Sequence, residues 1–195
     1  MTHDPQRRSM MQMALLAAAS GLLPLAKAFA QAPDTDISAS GAAHDFDFFI
    51  GTWTVAHRRL KQRLAGNRDW EEFGGSCHVR SILGGQANVD DSVVNLPGGA
   101  YRGIGLRAFD PKTQRWADWW LDGRHPHRLD APVIGRFAGG VGTFLSDDAF
   151  EGRPIKVRGV WSRIAADSLQ WEQAFSPDGG ANWETNWVMR YTRTA

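Results

Sequence analysis

The chain has 195 residues, with 22 Lys and Arg against 21 Asp and Glu, and 43% of its residues are hydrophobic. It has neither a basic surplus nor a Lys/Arg block to neutralise phosphates, which argues against a nucleic-acid partner. Its single cysteine, Cys77, excludes an intramolecular disulfide, so stability must rest on an apolar core supplied with nine Trp.

Residues 1–30 read as an export signal. Gln6-Arg7-Arg8-Ser9-Met10 carries paired arginines, and an apolar stretch runs from Met13 to Ala26. Lys27 then precedes an A-x-A cleavage site at Ala28-Phe29-Ala30. The apolar stretch is too short and too rich in Ala and Gly for a membrane span of about 20 strongly apolar residues. Paired arginines and a Lys before the cut point to the twin-arginine route and a periplasmic or secreted protein; an ordinary secretory signal with two arginines is the alternative. Removing this segment takes away three of the 22 cations and one of the 21 anions, turning the formal charge slightly negative. What remains fits one domain, with no integral membrane segment expected.

From Gln31 to Ala43 the composition is small and polar, predicting a flexible arm. His44 to Ile50 predicts a short helical turn or a loop that plugs one end of the fold. Beyond it, strand patterns alternate with turn signals at 52–61, 70–82, 86–95, 100–109, 115–122, 129–137, 141–147, 155–164, 168–176 and 182–193. Strong breaks separate them, among them Leu83-Gly84-Gly85, Pro97-Gly98-Gly99, Ala138-Gly139-Gly140 and Pro177-Asp178-Gly179-Gly180. No segment sustains a helical period over ten residues. The expectation is an all-β domain over residues 44–195: one antiparallel up-and-down barrel of about eight to ten strands. Closure removes the exposed edges, and a barrel of this size can hold one small ligand.

Alternation then places candidate residues. On the first strand Trp53, Val55, His57 and Arg59 share a face, so an inward Trp53 carries His57 inward too. A neutral imidazole there could orient a ligand or move a proton; otherwise it is satisfied within a polar interior. Arg107 shares a face with Tyr101, Gly103, Gly105 and Phe109, where the glycines leave room for its guanidinium. It could take a ligand carboxylate bidentately, or pair with Asp118, Asp122, Glu172 or Glu184. Trp119 and Trp120 are adjacent and must face opposite ways. Core filling accounts for most of the Trp residues, and an aromatic-walled cavity for the excess. His125-Pro126-His127 has a spacing that could seat a metal beside Asp122 and Asp130, although two solvated loop histidines are the simpler reading. Asp90 and Asp91 are neighbours on a strand and face opposite ways, so they do not form a carboxylate pair. Cys77 is expected to be buried as a small hydrophobe. There is no G-x-S-x-G, no phosphate-cradling glycine loop, no C-x-x-C and no H-E-x-x-H.

Gly51-Thr52-Trp53, at the head of the first strand, resembles the Gly-x-Trp of calycins, the superfamily of lipocalins and fatty-acid-binding proteins. The resemblance implies that Trp53 closes one barrel end with an Arg of the last strand packed across it. Arg193 is the candidate, on one face with Trp187, Met189 and Tyr191. A wider pattern looks like a bacterial family of calycin-like barrels without an established reaction. It comprises Asp45 to Trp53, Leu106 to Pro111 with Trp116, Gly135 to Phe144, and Trp171 to Ser176 with Trp183 to Trp187. Fatty-acid-binding barrels often use an internal Arg, which by resemblance favours a ligand acid at Arg107. Haem-binding nitrobindins also begin on a Gly-x-Trp strand but use a late His as iron ligand. No His follows His127 here, so haem would have to use His125 or His127, and no cofactor is expected.

The leading functional expectation is a small apolar or aromatic ligand inside the barrel, met by His57, Arg107, Trp120, Gln173 and Trp187. The alternatives are proton transfer or isomerisation in the same cavity, with His57 as base and Glu172 or Asp118 as partner, and a structural barrel filled by its own side chains. Both small-molecule readings require a void of ligand size, roughly 300 Å³ or more.

Overall fold

Large apolar residues alternating with small or polar ones, cut by glycine-rich turns, produce ten strands. The computed structural model describes residues 42–194. The expected export signal and nearly all of the expected arm lie outside the described residues. The strands are β1 (Gly51–Leu60), β2 (Trp70–Ile82), β3 (Ala87–Leu96), β4 (Gly99–Asp110) and β5 (Arg115–Asp122), then β6 (Val133–Ala138), β7 (Val141–Phe150), β8 (Arg153–Ser162), β9 (Ser168–Ser176) and β10 (Glu184–Thr194). Each pairs antiparallel with the next, and β10 returns to β1 to close the barrel. This is the all-β, up-and-down architecture that the strand count predicts.

Several boundaries differ by two or three residues, β7 running on to Phe150 and β8 spanning Arg153–Ser162, and the largest difference is at β6. The sequence pattern suggested a strand over 129–137, whereas β6 starts at Val133, and only an isolated bridge joins Leu121 to Leu129. Pro126 and Pro132 supply no backbone donor to a ladder, so the chain before Val133 stays a loop. As a result, β5 and β6 pair over only three residues, Trp116 to Asp118.

The register of β1 with β10 sets the inward face. Trp53 stands opposite Arg193, Val55 opposite Tyr191, His57 opposite Met189 and Arg59 opposite Trp187. One barrel end is sealed by two 3₁₀ turns, Ala42–His44 and Asp47–Phe49. The first of these includes Ala42 and Ala43, the last two residues of the expected arm. Trp116 Nε1 donates to the Ala42 carbonyl at 2.8 Å and fixes that turn to the wall. Phe46 and Phe49 plunge inward from the turns and are essentially unexposed. They meet Trp116 (4.9 Å from Phe46), Trp161 (4.9 Å from Phe49) and Tyr191 (5.4 Å from Phe49), mostly edge-on or tilted. Burying each such ring contributes about 1.5–3 kcal/mol, so the stable core of the molecule is this plug and the wall around it.

The Gly-x-Trp signature acquires a physical reason here. Trp53 Nε1 donates to the Phe49 carbonyl at 2.8 Å, and the Arg193 guanidinium lies 4.1 Å from the Trp53 ring centroid. Arg193 also donates to the carbonyls of Ile50 (2.7 Å), Phe48 (2.7 Å) and Ala166 (2.8 Å). It thereby ties β10, the plug and the β8–β9 loop together. Gly51 adopts φ +136°, and a Cβ there would collide with that guanidinium. Only glycine satisfies both constraints.

Candidate functional site

Above the plug, the barrel interior changes from aromatic to polar. Arg107 on β4 is buried, and its Nη2 donates to Asp90 Oδ2 on β3 at 2.8 Å. Its Nη1 donates to Asn88 Oδ1 at 3.1 Å, and its Nε lies 3.3 Å from Asp118 Oδ1 on β5. The far side of the guanidinium lies over Phe49 at 4.9 Å and Trp161 at 5.2 Å. Gly105 is indispensable to this arrangement, since a Cβ there would strike Asp90 and Arg107. Burial works against the Arg107 charge, but Asp118 and Asp90 outweigh it and hold its pKa above the ordinary value. Burial pushes the Asp118 carboxyl up to about 6 against the opposing pull of Arg107. Of the two readings open for Arg107, the ion pair is the one that forms. Its Nη donors are engaged by Asp90 and Asn88, and its Nε faces Asp118 without a formed hydrogen bond.

A cavity of about 210 Å³ lies between this network and the barrel mouth. His57, Arg107, Trp120, Gln173 and Trp187 all line it, together with Asp90, Asp118, Tyr101 and Trp171. Trp120 fits because Gly103 faces its indole, and His57 fits because Gly75 lies beneath its imidazole. The volume of about 210 Å³ falls short of the roughly 300 Å³ that both small-molecule readings were expected to require, which rules out a ligand of drug size. Inward indoles fill space that smaller side chains would leave open. A void of about 150 Å³ nevertheless suffices for benzene, so the space matches one or two rings.

Trp187 Nε1 donates to His57 Nδ1 at 3.2 Å, which places the proton of the neutral imidazole on Nε2. The imidazole stacks on Phe73, with ring centroids 4.9 Å apart. Burial, and then the nearby Arg59 charge, lower the His57 pKa to about 4, so the ring is neutral at physiological pH. No acceptor for Nε2–H and no partner for the Gln173 amide is found among the described residues. Glu172, one expected partner for His57, is not in the cavity: it sits on the outer face and accepts from Gln170 Nε2 at 2.8 Å. The hydrogen bond to His57 Nδ1 comes from an indole, so the imidazole is not oriented by a carboxylate there.

Other candidates lie elsewhere. His125 and His127 are exposed on the β5–β6 loop and do not line the cavity. Asp91 faces outward to Arg102, whereas its neighbour Asp90 completes the Arg107 network. Cys77 is buried, and burial pushes its thiol up to about 12, far from a reactive thiolate. Sequence reasoning missed Asn88 and Asp90 as Arg107 partners. Polar residues at alternate positions of one strand, Asn88, Asp90 and Ser92, were the signal available.

Against known proteins, residues 41–128 match a family described as protein of unknown function (DUF1579). The matched span is less than half of the chain and covers the plug and β1 to β5. No curated protein matches the sequence significantly. Among solved structures, the S-type phycobiliprotein lyase from Guillardia theta is similar with a TM-score of 0.54 and 10% identity, covering 77% of this chain and 90% of the lyase. A redesigned β barrel is similar with a TM-score of 0.44 and 12% identity over 78% of this chain and 96% of its own. The likeness to the lyase shows the shared barrel fold.

Proposed function

We propose that this protein binds a small aromatic molecule inside the barrel, with Trp120, Trp171 and Trp187 as walls and His57 and Gln173 orienting it. The observation that carries this reading is a cavity of about 210 Å³ into which His57 Nε2–H and the Gln173 amide project without protein partners. Both groups are donors that a ligand acceptor inside the cavity could engage. The volume selects one or two rings and disfavours a long acyl chain or a tetrapyrrole such as haem. The catalytic alternative has weaker support. A histidine with a pKa of about 4 is a poor base at neutral pH, and its Nδ1 partner is Trp187.

Tryptophan fluorescence titrated with one-ring, two-ring and tetrapyrrole compounds tests the reading. Saturable quenching is expected for the one- and two-ring compounds alone, with affinity about tenfold weaker in His57→Ala. Absence of saturable quenching by any one- or two-ring compound would sink the proposal. Native mass spectrometry of protein from its own host would show a retained ligand, and the same spectrum would read a chain starting at Gln31 if the proposed export signal is removed.

A further inference from the structure

At the mouth of the barrel, Arg63 is a half-buried cation with no ion-pair partner among the described residues. The chain leaving β1 lays Arg63 over the opening, with its guanidinium 5.7 Å from the Phe175 ring centroid and 5.9 Å from that of Trp187. Trp187 is also the wall residue that holds His57. The loop is fixed in place, because the Leu64 N–H donates to Glu184 Oε1 at 2.7 Å. On β4, Tyr101 lines the same cavity, and its phenol is close enough to Arg124, Arg59 and Arg63 for their charges to oppose the pKa rise caused by burial.

Three neighbouring cations are paired, whereas Arg153 in the same groove is exposed. Arg59 pairs with Glu71 and stacks on Phe73 and Trp187. Lys61 pairs with Asp69 at 2.9 Å, and Arg124 pairs with Asp122 while stacking on Tyr101. For Arg63 no carboxylate stands within ion-pair distance among the described residues, and none is found to accept from the Tyr101 hydroxyl. Burial and the like charge of Arg59 lower the Arg63 pKa, while Tyr101 and the more distant carboxylates of Glu71 and Glu184 oppose that shift. The groove beside it, about 760 Å³, is lined by Arg59, Arg63 and Arg153 with Glu151 as its one carboxylate. The cavity lining also carries carboxylates: Asp90 and Asp118 share the single cation Arg107, while Asp130, whose carboxyl burial pushes up, and Asp148 belong to largely exposed residues. The half-buried and unmatched charge at the opening is therefore positive.

We infer that the ligand is an aromatic acid: its ring enters the Trp-walled cavity, and its carboxylate is captured at the mouth by the Arg63 guanidinium and the Tyr101 hydroxyl. A guanidinium presents parallel N–H donors that match a carboxylate, and partial burial strengthens a charge-assisted pair. This inference rests on the reading of the cavity given above and adds the charge and the polarity of entry.

The test uses 2-naphthoate and 2-naphthamide, which share the ring and differ in charge, titrated into the wild type, Arg63→Gln and Tyr101→Phe. In the wild type, naphthoate should bind at least tenfold more tightly than naphthamide, with a preference that shrinks as salt is raised. Arg63→Gln should remove the preference by weakening naphthoate alone, and Tyr101→Phe should weaken naphthoate several-fold. Equal wild-type affinities, or tighter binding of the amide, would overturn the acid while leaving the cavity reading intact. Equal weakening of both ligands in Arg63→Gln would assign Arg63 a structural role and overturn its part. If neither compound binds, the cavity reading itself falls.

Discussion

The two ends of the barrel treat their polar groups in opposite ways. At the plugged end most strong donors are matched: Trp53 to Phe49, Trp116 to Ala42, and Arg193 to three carbonyls while it lies on the Trp53 ring, although the Trp161 indole N–H in the wall is buried without a partner. At the mouth, His57 Nε2, the Gln173 amide, the Tyr101 hydroxyl and the Arg63 guanidinium have no hydrogen-bond or ion-pair partner among the described residues. Aromatic mass is plentiful at both ends, so aromatic content does not distinguish the end that holds the fold from the end that can hold a ligand. The distinction lies in unmet hydrogen-bonding capacity, which is costly to bury and therefore informative where it persists. The Arg107 network separates the two regimes, paired on one side with Asp90 and Asp118 and packed on the other against the plug.

The sharpest way to break this comparison is to truncate matched aromatics at the two ends. Phe49→Ala removes a fully buried ring from the plug and should cost about 3–5 kcal/mol by urea denaturation. Phe73→Ala, at the half-buried mouth, should cost less than half of that. Equal losses would show that the plug is not the principal source of stability.

A second test uses pH to read the boundary layer. The folded pKa of His57 is lowered to about 4 from 6.5, so unfolded protein binds the extra proton between those values. That stability is fully present above pH 6.5 and is lost as pH falls toward 4. The folded pKa of Asp118 is raised to about 6 from 3.8, so the folded state binds the extra proton there. Its contribution has the opposite sign, falling as pH rises through that window. The two effects oppose each other, so stability of the wild type should change less between pH 4 and 6.5 than that of a variant lacking one of them. Asp118→Asn should uncover a steep loss of stability on acidification, measured by chemical denaturation at each pH. A profile as flat as the wild type's would show that these groups do not titrate as their burial requires.

The smallest effect concerns the seal. Gly51→Ala forces a side chain at φ +136° and displaces Arg193 from Trp53, for an expected cost of about 1–3 kcal/mol. Because the strain is local to the plug, affinity for a cavity ligand should stay within about twofold. A large loss of affinity would mean that the two ends are coupled through the Arg107 layer.

Local periodicity carried most of the fold. Ten turn-bounded runs with period two were legible because each inward position is marked by a neighbour of contrasting size or polarity, as with Trp53, Val55 and His57 against Thr54, Ala56 and Arg58. Where that marking fails, so did the reading. Residues 129–132 look extended in sequence, but prolines on either side and the wide β5–β6 loop leave them outside the ladder. The inward faces of β1, β4 and β10 followed from alternation, which is why His57, Arg107 and Trp187 could be named together. Glu172 was placed inside because strand parity was not fixed across β9, and one residue of register reverses its side.

The sequence by itself indicated an antiparallel barrel of about eight to ten strands, the glycine that the Trp53 seal needs, and the inward faces of β1, β4 and β10. These are decided by interactions between near neighbours along the chain. Only the tertiary structure decided that Arg107 is taken by Asp90, Asn88 and Asp118, that the cavity narrows to about 210 Å³, and that Arg63 lies across the mouth. Ion pairing, void volume and loop placement depend on which distant strands become neighbours, and barrel closure between β1 and β10 settles that only once the whole chain has folded.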